Sequence, residues 1–217
     1  MKIAKNWNEI SIGQFQQINT ALKNYPDNAI TQAVWMLNAL TGISREELLV
    51  MDFSKDFKPL MKELEWVNTT ALPTQLPKEF ELDGEQYTLV YDMKQRTTGQ
   101  FVDLAHLTTE PDNIIANLHQ ILAVLCVPKG QKDHAIGFEQ RAKNFQQRLP
   151  IAIAYPIATF FLRLWLDSLP HILTFLEKQM VPKKRTLWTR IIGLLRAMVG
   201  WQPLIRWRKT VRSGIFI

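Results

Sequence analysis

The chain has 217 residues, of which 47% are hydrophobic and 21% charged, and its formal net charge is +6. These proportions predict a folded globular protein with a sizeable core and exclude a disordered chain. The single cysteine, Cys126, cannot form an intramolecular disulfide bond, which favours a reducing compartment. The N-terminal residues turn polar too early for the apolar segment of a signal peptide, so we expect no secretion by that route.

Helical patterns dominate the first 68 residues, which we predict to form an N-terminal helical unit. Ser11–Gln14 has the spacing of a capping box, in which a Ser and a Gln three residues later bond free backbone N–H groups at a helix start. A second helix is predicted over Asn28–Leu40 and would end at Gly42 in a left-handed conformation. Ser44–Glu47 is another capping box, and a further helix is predicted over 56–67.

A β-hairpin is predicted after a proline-containing loop at 68–78. Apolar and polar residues alternate around Asp83 and Gly84, a dipeptide that favours a two-residue hairpin turn. Such a turn pairs Phe80 with Tyr87 and gives the ribbon one apolar face. The residues of that face are Phe80, Leu82, Tyr87, Leu89 and Tyr91. A single hairpin is not stable alone, so we expect this face to pack on helices or on a neighbouring chain.

Helical spacing returns after the hairpin. Thr97–Gln100 is a third capping box, and Pro111 is predicted to open a helix that Pro128 closes. Its residues Ile114, Ile121 and Leu125 recur on one face. An amphipathic helix is predicted over 138–148, followed by a long, mostly buried helix over 151–180.

The hairpin and these helices form the predicted second unit, residues 69–180. Its most apolar stretch, 151–169, is interrupted by Pro156, Arg163 and Asp167. The longest uncharged run there is shorter than the roughly 18 residues that a membrane span requires, so a buried helix is predicted instead. The overall prediction is a mainly α (α+β) fold: a bundle-like helical domain with one inserted β-hairpin and an extended, basic C-terminal helix or tail.

Charge is distributed unevenly along the chain. Residues 181–217 carry nine basic residues and no acidic one, whereas residues 1–180 carry 17 basic and 20 acidic residues. A strongly cationic C-terminal arm therefore follows a slightly acidic body. This asymmetry indicates an anionic partner, which net charge alone does not identify as nucleic acid, lipid or protein.

Four interpretations of residues 181–217 are open, because Trp188, Trp201 and Trp207 are interleaved with arginines and an apolar stripe. A basic amphipathic helix could lie on an anionic membrane. Arginines could bind nucleic-acid phosphates while aromatic rings stack on bases. The segment could also be simply the last helix of the core. We favour an assembly arm that anchors its Trp and Arg side chains in a neighbouring subunit, since both residue types are common at interface hot spots.

No set of residues meets the requirements of a catalytic site, so we predict that the protein is not an enzyme and uses no cofactor. Cys126 lies in an apolar run, two helical turns from His119, which favours an inert buried thiol over a nucleophile. A metal site is not predicted, because its imaginable ligands match no zinc spacing. Those ligands are Asp103, His106, His119 and Cys126.

Phosphate-binding and acid–base chemistry are not indicated either. The glycines form neither a dinucleotide-binding pattern nor a P-loop. Three acidic pairs could in principle supply an acid and a base, but we interpret them as solvated charges or helix caps. The pairs are Glu46 and Glu47, Asp52 and Asp56, and Glu63 and Glu65.

The segment Phe80–Tyr87, continued by Thr97–Leu104 and Leu118–Pro128, resembles virion proteins of tailed phages of the crAss-like type. The stretches Trp7–Phe15 and Leu40–Ile43 resemble the same group. The resemblance implies a short-tailed phage particle in which such proteins form rings in the neck or tail below the portal, or otherwise assist tail assembly. The basic C-terminal arm has no counterpart in this pattern.

We therefore expect a non-enzymatic structural component that is made in the bacterial host cytoplasm and located in the virion. Its expected partners are copies of itself in a ring and portal or other neck and tail proteins, with packaged DNA as a further option and a membrane not expected. Two alternatives stay open: a tail-assembly chaperone absent from the mature particle, and a nucleic-acid or membrane binder acting through residues 181–217. The predicted partner-binding residues are Lys183, Lys184, Arg185, Trp188, Arg190, Trp201, Arg206, Trp207, Arg208 and Arg212.

Overall fold

The computed structural model describes residues 3–89, 91–92, 95–110 and 113–179, without the side chains of 68, 165–166 and 168–179. Its fold is mainly helical with one small three-stranded antiparallel sheet, which confirms the predicted fold class. All ten predicted partner-binding residues, from Lys183 to Arg212, lie outside the described residues. The predictions made for residues 181–217 therefore stay predictions.

The helices in chain order are α1 (Ile12–Asn24), α2 (Ala29–Thr41), α3 (Arg45–Val50), α4 (Lys58–Glu63), α5 (Trp66–Thr69), α6 (Thr98–Leu107), α7 (Leu118–Leu125), α8 (Phe138–Arg148) and α9 (Ile151–Gln179). A 3-10 turn at Trp7–Glu9 precedes α1, and a π-helical turn at Phe53–Phe57 precedes α4. The strands are β1 (Glu79–Leu82), β2 (Glu85–Thr88) and β3 (Val127–Pro128).

Local capping chemistry sets several helix starts as the sequence predicts. Ser11, Ser44 and Thr97 each accept a hydrogen bond from the backbone N–H three residues later, and the Gln or Glu at that position bonds back. Gly42 ends α2 with a φ of 76°, a left-handed conformation that costs glycine little because it has no Cβ.

The predicted hairpin and its register are confirmed. Phe80 lies opposite Tyr87, and Leu82 lies opposite Glu85. The apolar face packs on α8, because the Phe80 and Tyr87 rings lie 6.0 and 5.1 Å from that of the fully buried Phe145. Packing of this face on helices is therefore confirmed as well.

A third strand that the sequence did not predict extends the hairpin, because β3 pairs with β2. The two residues of β3 contain Pro128, which lacks a backbone N–H, so no strand pattern marks them in the sequence. The pairing arises because α7 ends at Leu125 and delivers the chain beside Tyr87 and Thr88. The Lys129 N–H extends it by donating to the carbonyl of Gln86 at 2.8 Å.

Two predicted helices are shorter or more broken than expected. The helix predicted over 56–67 is divided at Leu64, which turns into the core and is 1% exposed. The helix predicted to open at Pro111 begins at Leu118, because the carbonyls of Ile115 and Ala116 accept hydrogen bonds from the Gln16 side chain. In the second case a distant partner outweighs the local helical pattern.

Side chains on both sides of the predicted boundary at residues 68 and 69 contribute to one hydrophobic cluster. Ile12 and Leu37 belong to it from the first unit, and Ile121, Phe145 and Ile157 from the second. The backbone also joins the two parts, since the Ile12 N–H donates to the Leu149 carbonyl and the Ile151 N–H donates to the Ile10 carbonyl. The division into two units stays a prediction.

Capping-box glutamines bond two structural elements at once. The Gln14 Oε1 accepts from the Ser11 N–H at 2.9 Å, while its Nε2 donates to the Ala39 carbonyl near the end of α2 at 3.0 Å. Gln100 does the same, since its Nε2 donates to the Val124 carbonyl in α7 at 2.8 Å. A glutamate at either position could cap its own helix but could not donate to the neighbouring one.

We predict that Gln14→Glu lowers the free energy of unfolding by about 1–2 kcal/mol. The cap remains, but the Ala39 carbonyl loses its donor and faces a carboxylate near the negative end of α2. The favourable position of that charge at the start of α1 offsets part of the loss. Urea unfolding followed by circular dichroism measures the change.

The matched control is Glu47→Gln in the exposed capping box of α3, where no second helix is bonded. This substitution should change the free energy of unfolding by less than about 0.5 kcal/mol. Unchanged or increased stability of Gln14→Glu would show that the bond to Ala39 contributes nothing.

Candidate functional site

The C-terminal end of α7 gathers several polar and titratable side chains in the middle of the fold. Cys126 follows the helix and is fully buried, and the guanidinium groups of Arg96 and Arg141 reach the last turn from two other parts of the chain. Cations beside a thiol are a common way to activate it, so this cluster is a candidate for chemistry.

The last four carbonyls of α7 all have hydrogen-bond donors, although such groups have no partner within a helix. The Leu122 carbonyl accepts from the Cys126 backbone N–H at 2.8 Å. The other three carbonyls are bonded by side chains. The bonds are Arg141 Nε and Nη2 to Ala123 at 3.0 and 2.9 Å, Gln100 Nε2 to Val124 at 2.8 Å, and Arg96 Nη1 to Leu125 at 2.8 Å.

Arg141 also fixes the loop that precedes α8. Its Nη1 donates to the Ile136 carbonyl at 2.9 Å, and its Nη2 donates to the His134 carbonyl. The His134 ring is buried and lies 2.7 Å from Asp103 on α6 through Nε2. Burial lowers the pKa of Arg141, because removing this cation from water costs free energy. Its four hydrogen bonds to carbonyls compensate for the lost hydration.

Burial decides the chemistry of Cys126. The positive charges of Arg96 and Arg141 favour the thiolate, but removal of the sulfur from water outweighs them and raises its pKa to about 12. The thiol is 0% exposed, and the His119 ring that was considered as its base is bonded to Gln16. These features describe a structural thiol with no route to a substrate.

We predict that Cys126 in the folded protein does not react with an aromatic disulfide reagent at pH 8. A pKa of about 12 leaves roughly one thiol in ten thousand ionised, and that sulfur is fully buried. The same chain unfolded in guanidinium is the control and should react completely within minutes. Equally fast labelling of the folded chain would show an accessible, activated thiol.

His119 takes part in a buried amide network between α1, α7 and α8. The Gln16 Nε2 lies 3.0 Å from the His119 Nδ1, and the Gln16 Oε1 accepts from the Gln146 Nε2 at 3.0 Å. The same Gln16 Nε2 donates to the Ile115 and Ala116 carbonyls at 2.9 and 2.8 Å, so amide groups surround this side of the His119 ring. Burial lowers the pKa of His119, and this effect exceeds the opposing contributions of the Ala116 backbone and Glu139.

This network predicts a loss of stability in acid. The folded-state pKa of His119 lies below its unfolded value near 6.5, so its contribution is complete above that pH and is lost as the pH falls. His119→Asn keeps an uncharged polar side chain at this position without a titrating group. Urea unfolding at pH 8, 7, 6 and 5 should show a smaller acid loss for this variant than for the parent chain. If stability falls equally with pH in the variant and in the parent chain, His119 is not the source of the acid loss.

The structure does not assemble the residues considered as metal ligands. Asp103 bonds His134, His106 is exposed on α6, and His119 belongs to the glutamine network. No group of three His, Cys, Asp or Glu side chains in the described part of the chain is placed to hold a metal ion.

The acidic pairs occupy caps and exposed positions. Glu47 belongs to the α3 capping box, and Asp52 accepts from the Ser54 and Lys55 N–H groups at the start of the π-helical turn. The remaining members, Glu46, Asp56, Glu63 and Glu65, are exposed.

Sequence reasoning missed the roles of His134, Arg141 and Arg96, and it predicted the capping role of Gln100 but not its bond to Val124. A signal for Arg141 is present, because it lies on the apolar face of α8 with Phe138, Ala142 and Phe145. A charged residue in that stripe indicates a buried cation with fixed partners. His134 and Arg96 lie in loops, where no periodicity shows which way a side chain points.

Exposed apolar side chains mark candidate interaction surfaces on this fold. The large ones in the described residues are Leu22, Tyr25, Ile30, Leu49, Val50, Phe53, Val102 and Ile136. Leu49, Val50 and Phe53 are close in sequence around the end of α3 and are 69%, 84% and 62% exposed. As for the helices described here, none is both long and apolar enough to cross a membrane.

Comparison with protein-family models, curated proteins and solved structures finds no match to this chain. Its interpretation therefore depends on its own residues.

Proposed function

We propose that the protein is a non-enzymatic structural component of a phage particle that forms an oligomeric ring in the neck or tail below the portal. The observation that carries the proposal is the charge asymmetry of the chain. Nine basic residues and no acidic one occupy 181–217, whereas the preceding 180 residues carry 17 basic and 20 acidic residues. A closed ring needs two different complementary faces on each subunit, and opposite charges provide such a pair.

The described side chains favour a binding role over catalysis. Cys126 is fully buried, Arg141 is bonded to carbonyls, and the His119 and His134 rings have partners within the fold. Polar groups held in this way contribute to stability and to a unique core. The surface, in contrast, presents apolar side chains of the kind that protein interfaces bury.

The phage-specific part of the proposal is supported by the resemblance at Phe80–Tyr87, Thr97–Leu104 and Leu118–Pro128. These segments form the hairpin, the start of α6, and α7 with β3. Their buried residues, which include Phe80, Tyr87, Leu104 and most of α7, belong to the core, so the resemblance concerns architecture. The arm at 181–217 would supply the contacts that hold a subunit in the assembly.

We predict stoichiometric amounts of the protein in purified particles of the encoding phage, measured by mass spectrometry. Cross-links from Lys183, Lys184 or Lys209 should reach a neighbouring copy, the portal or another neck or tail protein. Arg206→Glu with Arg208→Glu should reduce incorporation about tenfold, because buried charged contacts at interfaces contribute strongly. The matched control, Lys129→Glu with Lys132→Glu, reverses two exposed charges in the body.

Other outcomes identify the alternatives. Absence from particles together with binding to a virion protein during assembly would indicate a tail-assembly chaperone. DNA binding with a steep salt dependence would indicate a nucleic-acid protein acting through 181–217. Binding to anionic vesicles that the arginine reversals abolish would indicate a membrane-surface protein.

A further inference from the structure

An exposed apolar surface with acidic neighbours lies around the end of α3. We define the α3 patch as Leu49, Val50 and Phe53 with the flanking carboxylates of Glu46 and Asp56. The three apolar side chains are between 62% and 84% exposed, although the adjacent Leu48 is 2% exposed and anchors the helix in the core. The Phe53 ring stacks on the buried Phe57 ring at 5.8 Å, which gives the patch a fixed aromatic base.

Acidic residues outnumber basic ones in the segment that holds the α3 patch, although the exposed Lys55 and Lys58 lie close to Asp56 in the chain. Residues 44–57 contain four acidic residues and two basic ones. One of the basic residues, Arg45, lies with its guanidinium 4.1 Å from the centre of the Trp35 ring. Glu47 and Asp52 serve as caps, whereas Glu46 and Asp56 are exposed and take no part in these caps. The patch therefore offers apolar area together with carboxylates.

The other described surfaces lack this combination. Val102 and Ile136 are also exposed, but Asp103 beside them is bonded to His134, and Lys129 and Lys132 lie on the same loop as Ile136. The hairpin has exposed carboxylates at Glu79, Glu81, Asp83 and Glu85 but no exposed large hydrophobic side chain. Near the α1–α2 corner, Leu22, Tyr25 and Ile30 are accompanied by one lysine and one aspartate.

The chemistry of residues 181–217 is complementary to the α3 patch. This segment contains nine basic residues, no acidic residue and three tryptophans. Tryptophan and arginine are the residues that most often anchor interfaces, and they need an apolar surface with acceptors nearby. The 37 residues of the segment can span many ångströms in any extended form, since each residue adds up to about 3.3–3.6 Å.

We propose that residues 181–217 of one copy bind the α3 patch of the neighbouring copy, which is the contact that propagates the ring. This inference rests on the proposed assembly function and names its acceptor surface. The Trp side chains cover Leu49, Val50 and Phe53, and the arginines pair with Glu46 and Asp56. Such a contact joins different surfaces of identical subunits, so it is heterologous and closes into a ring when the rotation per subunit permits.

Isotope-mixed cross-linking tests the contact directly on the full chain. Unlabelled and ¹⁵N-labelled protein are mixed, and carbodiimide joins carboxylates to lysines without a spacer. We expect mixed-isotope links from Glu46 or Asp56 to Lys183, Lys184 or Lys209. Links that join only residues of the same copy overturn the proposal, as does the absence of links between these two regions.

Charge exchange tests the same contact by sedimentation equilibrium. Glu46→Lys with Asp56→Lys should weaken self-association about tenfold, and Arg206→Glu with Arg208→Glu should do the same. The chain that carries all four changes should recover most of the affinity. Glu79→Lys with Glu81→Lys on the hairpin is the matched control, with less than about a twofold effect. Equal effects of the two acidic pairs, Glu46 with Asp56 and Glu79 with Glu81, overturn the proposal, and so does a lack of recovery.

The apolar side chains of the α3 patch are tested with a variant and a matched control of their own. Leu49→Ser with Val50→Ser should weaken self-association about tenfold, whereas Val102→Ser with Ile136→Ser should leave it within about twofold. Circular dichroism melting verifies that each variant is folded. A parent chain that is monomeric and absent from particles contradicts the proposed function itself. An oligomeric parent in which the patch variants match their controls overturns only this inference.

Discussion

The buried backbone carbonyls at the end of α7 are the constraint that organises the fold. This helix is buried along its length, so its last carbonyls cannot be satisfied by water and need donors from the protein. Arg141, Gln100 and Arg96 supply them from α8, α6 and the loop before α6. Two of these donors are cations, which also compensate the negative end of the helix dipole. Three separate segments, α8, α6 and the loop before α6, are thus bonded to one helix terminus.

The same helix terminus explains why a group of titratable residues has no indicated chemistry. Cys126 lies between two arginines, an arrangement that elsewhere produces a reactive thiolate, yet complete burial dominates and the thiol stays protonated. Arg141 and the buried His134 are likewise held by partners within the fold. When polar groups are this well satisfied, their contribution is a single well-ordered core.

Glutamine side chains connect several helices of this protein by hydrogen bonds. Gln14 and Gln100 cap their own helices with the side-chain oxygen and bond a neighbouring helix with the nitrogen, while Gln16 and Gln146 connect α1, α7 and α8. A neutral amide can do both because it carries a donor and an acceptor, and its burial costs much less than that of a carboxylate. The exposed capping box of α3 uses Glu47, where a charge is fully hydrated.

The sequence by itself determined the features that depend on neighbouring residues: the capping boxes, the left-handed Gly42, the Asp83-Gly84 turn with its register, and α8 at 138–148. Each is set by backbone hydrogen bonding or periodicity within a few residues. Only the tertiary structure decided the start of α7 at Leu118, the pairing of β3, and the partners of Arg141 and His134. These depend on contacts between residues far apart in the chain, where a satisfied buried carbonyl outweighs local propensity.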